Sequence, residues 1–156
     1  MRALIATGLV MFAACGGGGV VDTADSATYN CATETRADPF AVGLDKHGEA
    51  GALDFKLMQA DPAPPARGDN TWQLQISAMS AGNVGATVAG AQLMVTPFMP
   101  DHAHGTPIQV AITDKGSGMY TLSPVNLWMP GLWETTIQAT SGSSSDQAVF
   151  RFCIPE

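Results

Sequence analysis

The chain has 156 residues, with 14 Asp and Glu against seven Lys and Arg, so its formal net charge is −7 at pH 7. This acidity argues against a nucleic-acid-binding protein, because affinity for nucleic acid depends on Lys and Arg side chains that neutralise phosphates. The length accommodates one folded domain and a short leader.

The N-terminus predicts an export signal. Arg2 supplies a positive charge, residues 3–12 form an apolar run, and two alanines stand directly before Cys15. The run is too short to span a bilayer, which needs about 20 apolar residues. This order resembles the lipobox of bacterial lipoproteins, in which cleavage precedes the cysteine and the cysteine is lipidated. We therefore predict a signal peptide over residues 1–14 and a lipid anchor at Cys15; an ordinary secretory signal is the alternative.

The remaining cysteines predict a disulfide. Three cysteines are an odd number for an exported chain. With Cys15 assigned to the lipid, Cys31 and Cys153 remain, and an oxidising compartment lets them pair. A thiolate metal site is the rival interpretation, but two cysteines so far apart lack the CxxC spacing of such sites.

Residues 15–50 carry little periodicity, and we predict that they form a leader in which the Gly16–Gly19 tract is a flexible tether. His47 is interpreted as a linker residue. The folded domain is predicted over residues 51–156.

Within this domain, apolar and polar residues alternate with the period of half-buried strands. Clusters of Gly, Pro, Asp and Ser separate the alternating runs and predict turns. Seven runs are predicted as strands: 53–57, 72–78, 91–95, 108–112, 120–122, 135–139 and 148–154. Short strands with this spacing predict an all-β fold, an immunoglobulin-like antiparallel β-sandwich of about seven strands.

Two connections between these strands contain a Met-Pro pair. The His fragment, residues 99–105, reads Met-Pro-Asp-His-Ala-His-Gly and follows the third strand. The Trp fragment, residues 128–133, reads Trp-Met-Pro-Gly-Leu-Trp and follows the fifth. Because successive strands of the predicted sandwich run in opposite directions, the connections after odd-numbered strands gather at one end. We therefore expect the two fragments to lie together.

The donor types in these fragments predict a copper site with Met99, His102, His104 and Met129 as ligands. Thioethers hold Cu(I), and imidazoles accept both Cu(I) and Cu(II). An extended His-x-His segment would point both rings the same way. Asp101 would then orient one of the rings through a hydrogen bond.

Other interpretations of the same residues remain open. Met99 is in phase with the third strand and would cap the core, while Met129 and Trp133 would pack as a sulfur–aromatic plug. Pro130-Gly131 suits a type II turn with a positive φ at the glycine. The two histidines would then be solvated loop residues.

Two further alternatives involve ligands of other kinds. A zinc or nickel site built from Asp101, His102 and His104 offers at most three ligands. In a metal-free interaction module, Phe98, Trp128 and Trp133 would form an aromatic rim that contacts a membrane protein.

Several short motifs together resemble the YtkA-like domain, which is related to the FixH-like proteins. They are Gly90-Ala91, Met99-Pro100-x-His102-x-His104-Gly105, Gly118-x-Tyr120 and Met129-Pro130-Gly131-x-Trp133. The resemblance covers about residues 53–153. It implies a β-sandwich in a small exported or membrane-attached bacterial protein, and in some relatives an association with copper handling or heavy-metal efflux.

The sequence contains no nucleophile elbow, phosphate-binding loop or HExxH motif, so we predict no enzymatic activity. The favoured function is copper binding, for delivery or buffering, by a lipoprotein anchored in the bilayer on the periplasmic or cell-surface side. The alternative is an interaction or structural module of a membrane complex, such as one for oxidase assembly or metal efflux.

Overall fold

The computed structural model describes residues 29–156, which form two antiparallel β-sheets. The predicted signal peptide, the predicted lipidation site Cys15 and the predicted glycine tether lie outside the described residues. No helix in residues 29–156 is long and apolar enough to cross a membrane.

Ten strands are present in the described residues. They are β1 (Leu44–His47), β2 (Leu53–Asp61), β3 (Gly68–Ser80), β4 (Asn83–Thr87), β5 (Gln92–Met99), β6 (His104–Gly105), β7 (Ala111–Gly116), β8 (Met119–Leu127), β9 (Gly131–Ser141) and β10 (Ser144–Ile154). One sheet has the order β1-β2-β3-β8-β7, with β4 paired to the end of β3. The other has the order β10-β9-β5-β6.

The core lies between the two sheets. Trp72 from β3 is fully buried, and the rings of Phe150 and Phe152 from β10 meet it edge to face at centroid distances of 6.4 and 5.5 Å. Edge-to-face contacts of this kind add to the free energy gained by burying the rings. The predicted all-β sandwich is confirmed.

The seven predicted strands correspond to β2, β3, β5, β7, β8, β9 and β10. The alternation did not reveal the three short strands β1, β4 and β6. The fourth was predicted at 108–112, whereas β7 spans Ala111–Gly116. This shift has a physical cause, because β7 is an exposed edge strand. Its position is set by antiparallel pairing with β8 across the turn at Gly116–Met119, not by a buried apolar face.

The segment that precedes β2 belongs to the folded unit. Cys31 and Cys153 form the predicted disulfide, with a Cα–Cα distance of 5.5 Å across 122 residues of sequence. The Asp38 amide donates a hydrogen bond to the Arg151 carbonyl, and the Arg151 amide donates one to the Asp38 carboxylate, both at 2.7 Å. His47 ends β1, which pairs along its whole length with β2. Its interpretation as a linker residue is therefore wrong: alternation over only four residues is too short to detect.

Candidate metal site

The His fragment forms a tight turn at one end of the sandwich. After β5 ends at Met99, the chain turns through residues 100–103 and returns as β6, where His104 pairs with Met99. The turn is closed by hydrogen bonds from the His102 and Ala103 amides to the carbonyls of Met99 and Pro100, at 3.3 and 3.4 Å. Ala103 has a φ of 53°, in the left-handed region. The segment is therefore not extended, so the condition under which both rings would point the same way is not met.

The turn nevertheless brings the two imidazoles together. The ring centroids of His102 and His104 are 5.7 Å apart, with an angle of 48° between the ring planes. A metal ion lies about 2.0–2.1 Å from a ligating imidazole nitrogen, which is itself about 1.1 Å from the ring centroid, so two rings sharing one ion have centroids no more than about 6.4 Å apart. The observed separation is within this limit.

One nitrogen of His104 is already engaged. His104 Nδ1 lies 3.0 Å from the carbonyl oxygen of Gly105. Since a carbonyl can only accept, this contact requires the proton on Nδ1 and leaves the Nε2 lone pair of the neutral ring free. Ligating histidines are commonly oriented in this way, by donating their other N–H to a backbone carbonyl.

The Trp fragment lies beside this turn. The indole of Trp128 stacks on the His104 ring, with centroids 5.5 Å apart and planes 25° apart. A Cβ atom on Gly131 would come within 2.6 Å of Met99 Cε. These two contacts confirm that both Met-Pro fragments lie at the same end of the sandwich.

Much of the Trp fragment is structural. Trp133 is fully buried, and its Nε1 donates a hydrogen bond to the carbonyl of Met129 at 2.9 Å. The expectation that Trp133 contributes to an exposed aromatic rim is therefore wrong. Gly131 has the expected positive φ, 129°. Trp128 and Phe98 are exposed, at 43% and 39%.

The two methionines differ in their surroundings. Met99 is fully buried and belongs to the hydrophobic core, as the packing interpretation expected. Met129 is partly buried and packs against that core. Their roles as thioether ligands, and those of His102 and His104 as imidazole ligands, stay predictions.

Asp101 is engaged away from the imidazoles. Its two carboxylate oxygens accept hydrogen bonds from both terminal nitrogens of Arg36, at 2.7 and 2.6 Å. Arg36 also binds Glu34, and the Tyr29 hydroxyl donates to Glu34 and lies 3.3 Å from an oxygen of Asp101. The predicted ring-orienting role of Asp101 is therefore wrong, because Arg36, 65 residues earlier in the chain, holds the carboxylate instead.

This network shifts the titration of its members. Hydrogen bonds from Arg36 lower the pKa of Asp101. Hydrogen bonds from Arg36 and Tyr29 together lower the pKa of Glu34 to about 2. Burial, reinforced by the contact with Glu34, raises the pKa of Tyr29 to about 12. At neutral pH Asp101 is therefore charged and fixed, and it pins the turn that carries His102 to the segment before β1.

A second group of possible metal ligands lies elsewhere and was missed by the sequence analysis. One ligand atom from each of Asp45, His47 and Asp54 lies within 4.8 Å of the others. No spacing motif connects these residues. The antiparallel register of β1 and β2 is what brings them together, so recognising β1 as a strand would have revealed the group.

No curated protein and no solved structure matches this chain. The profile of the YtkA-like family matches residues 47–138, which is more than half of the chain and includes both Met-Pro fragments. The protein therefore belongs to the YtkA-like family.

Proposed function

We propose that this YtkA-like protein is an exported, lipid-anchored, non-enzymatic module that binds copper at the His102–His104 turn and passes it on at the membrane surface. The observation that carries the proposal is the 5.7 Å separation of the two imidazole rings at the end where the Met-Pro fragments meet. Imidazole and thioether are donors that copper accepts readily.

Each neighbour of the pair has a distinct part in the proposed site. Trp128 covers one face of the His104 ring, and the Gly105 carbonyl fixes the proton on Nδ1. Met129, directly after Trp128, is the proposed thioether donor. Met99 is the proposed inner ligand; it is fully buried, and its terminal methyl group lies beside Gly131 of the Trp fragment. His102 is exposed and therefore accessible to an acceptor protein, which would suit release by ligand exchange.

Copper binding is tested by a Cu(I) competition titration on the purified full chain. We expect one equivalent to bind, and the His102→Ala/His104→Ala double variant to lose that binding. His47→Ala is the matched control, because it removes the third histidine of the chain and should leave the equivalent intact. Equal affinity of the double variant and the parent, or binding no stronger than that of an unrelated methionine-containing protein, would overturn the proposal.

Trp128 provides an optical readout of the same site. Trp72 and Trp133 are fully buried, whereas Trp128 is exposed and stacked on His104. Bound Cu(II) should therefore quench mainly the Trp128 emission, and Trp128→Phe should remove most of the quenching while leaving the stoichiometry unchanged. Quenching that is the same in this variant and the parent would contradict the assignment.

The alternative function is a metal-free interaction module, and exposure of Phe98 and Trp128 at this end favours it. Phe98→Ala separates the two functions, because Phe98 is neither a proposed ligand nor stacked on one. If Phe98→Ala abolishes crosslinking to a membrane partner in the presence of a copper chelator, while the double histidine variant does not, the interaction module is correct.

The lipid anchor is tested by labelling the full chain with a radioactive or clickable fatty acid in a bacterial host. Cys15→Ala should lose the label and appear in the soluble fraction, whereas the control Cys31→Ala should keep the label. Retention of the label by Cys15→Ala would contradict lipidation at this position.

A further inference from the structure

We infer that Asp45, His47 and Asp54 form a second site, distinct from the His102–His104 turn, that binds one divalent transition-metal ion. The site lies where the edge strand β1 pairs with β2. Its three ligand atoms lie within 4.8 Å of one another, and His47 Nδ1 is 2.8 Å from an oxygen of Asp54. The inference does not depend on copper binding at the other end of the protein.

The strand register places all three side chains on one face of the sheet. His47 is directly opposite Asp54, and Asp45 stands two residues before His47 on the same strand. Side chains two residues apart on a strand, and those directly opposite on paired strands, point to the same face. The ligand set is therefore built into the pairing of regular strands and does not depend on a loop.

Burial of Asp54 is the observation that points to a cation. Its side chain is only 3% exposed, and His47 is the one hydrogen-bonding partner that residues 29–156 give to its carboxylate. A buried carboxylate is costly unless a positive charge or several hydrogen bonds compensate it. Asp146 shows the contrast: it is also buried, but its carboxylate accepts hydrogen bonds from the amides of Ala50, Ala52 and Leu53.

The same backbone amides hold the site in place. By binding three of them, Asp146 fixes the turn that joins β1 to β2, and this turn separates His47 from Asp54. The rigid hairpin limits the conformational entropy that the ligands lose when an ion binds. The His47 side chain is 56% exposed, which leaves a path from solvent to the site.

The donor set selects the class of ion. One imidazole nitrogen and two carboxylate oxygens suit zinc and similar divalent ions better than Cu(I), which prefers softer sulfur donors. When the ion binds through Nδ1, the proton now between His47 and Asp54 leaves, and the nitrogen–metal bond replaces the hydrogen bond. Water completes the coordination sphere, since three protein ligands leave a tetrahedral ion with an open position.

Lys56 is the positive charge that opposes this site. It stands directly opposite Asp45 on the same face, but none of the ion pairs in residues 29–156 joins the two. Its Cε atom lies 3.5 Å from the Cβ position of Gly43, so the side chain extends toward the start of β1. Removing this charge should therefore tighten binding of a cation.

The test uses the untagged full chain carrying His102→Ala and His104→Ala, in which His47 is the remaining histidine. Zn²⁺ is titrated while NMR follows the ring nitrogens of His47. We expect the Nδ1 resonance to shift and to saturate at one equivalent. Adding Asp45→Asn should weaken binding by at least about tenfold, since the loss of even an indirect partner of a metal ligand costs 10–100-fold.

Two further variants complete the experiment. Asp61→Asn removes an exposed carboxylate from the far end of β2 and should leave the affinity for Zn²⁺ unchanged. Lys56→Met should raise that affinity. The inference is overturned if the His47 ring does not respond to one equivalent of Zn²⁺, or if Asp45→Asn binds as tightly as Asp61→Asn.

Discussion

The two Met-Pro fragments share a dipeptide and one end of the sandwich, but the protein holds them by different means. The Trp fragment is fixed by burial, since Trp133 is fully buried and Gly131 is packed against Met99. The His fragment begins at the buried Met99, but its turn over residues 101–103 is exposed, and its Asp101 is fixed by the charge of Arg36. The same short motif therefore provides a rigid base in one case and an accessible pair of imidazoles in the other.

The difference shows how this end could combine stability with exchange. Apolar burial contributes substantially to the free energy of folding, whereas exposed ion pairs contribute little and respond to salt. A turn held by an exposed ion pair and two long backbone hydrogen bonds can rearrange without unfolding the sandwich. We expect disruption of the Trp fragment to change global stability, and disruption of the His fragment to change local dynamics.

The largest effect is expected from removing the disulfide, which anchors the segment that carries Arg36. Replacing both Cys31 and Cys153 by Ser should lower the free energy of unfolding by about 5 kcal/mol, because the bond restricts a loop of 122 residues in the unfolded chain. Urea denaturation measures the change. An unchanged midpoint would mean that the segment before β1 is held by its other contacts alone.

Trp133→Ala should have the next largest effect. Truncating a fully buried aromatic side chain costs about 3–5 kcal/mol, from lost burial and the cavity that remains. Trp128→Ala is the matched control and should cost about 0.5 kcal/mol, because its side chain is exposed. Similar losses for the two variants in thermal or urea unfolding would contradict the division into a buried base and an exposed turn.

Gly131→Ala should have an intermediate effect, about 1–3 kcal/mol for the strained backbone together with displacement of the Met99 methyl group. Gly68→Ala separates these causes, because the φ of Gly68, 98°, also lies beyond the left-handed region that alanine tolerates, but nothing lies within 4 Å of its Cβ position. Urea unfolding of both variants measures the difference. If Gly68→Ala is as destabilising as Gly131→Ala, the contact with Met99 contributes nothing.

Arg36→Gln should change global stability least. Its clearest effects should be local, on the pKa of Asp101 and on the turn that carries His102. Arg36 lowers the pKa of Asp101, so the variant should raise that pKa toward its ordinary value of 3.8. Because the pKa is lowered in the folded state, stabilisation by this pair is complete above the ordinary value and is lost as the pH falls through the lowered one. NMR titration of the Asp101 carboxyl group measures the shift.

Amide hydrogen exchange provides the local readout for the same variant. Exchange at residues 101–103 should accelerate in Arg36→Gln, while exchange in β9 should not change. Arg151→Gln is the control, because it removes an ion pair with Glu134 at a different place. Unchanged exchange in the turn would show that its backbone hydrogen bonds, and not Arg36, fix the His fragment.

Much of the fold was predictable because strand alternation is a local property. Trp72 and Leu74 of β3 are fully buried on either side of the partly exposed Gln73, as the alternation predicted. Counting the strands was then enough to place the two fragments at one end, and assigning Cys15 to the lipid left Cys31 and Cys153 as the predicted pair, which the structure joins. Strand β1 was not predicted, because four residues are too few to show the alternation of apolar and polar side chains.

The sequence by itself determined the longer strands, the disulfide and the end of the sandwich that holds the two fragments. Only the tertiary structure decided that Arg36 holds Asp101, that Trp128 covers His104 and that His47 meets Asp54. The reason is physical: alternation predicts which face a side chain points to, but not its neighbour on that face. Those neighbours are fixed by strand register, by the handedness of a turn such as the one at Ala103, and by the packing of segments far apart in the chain.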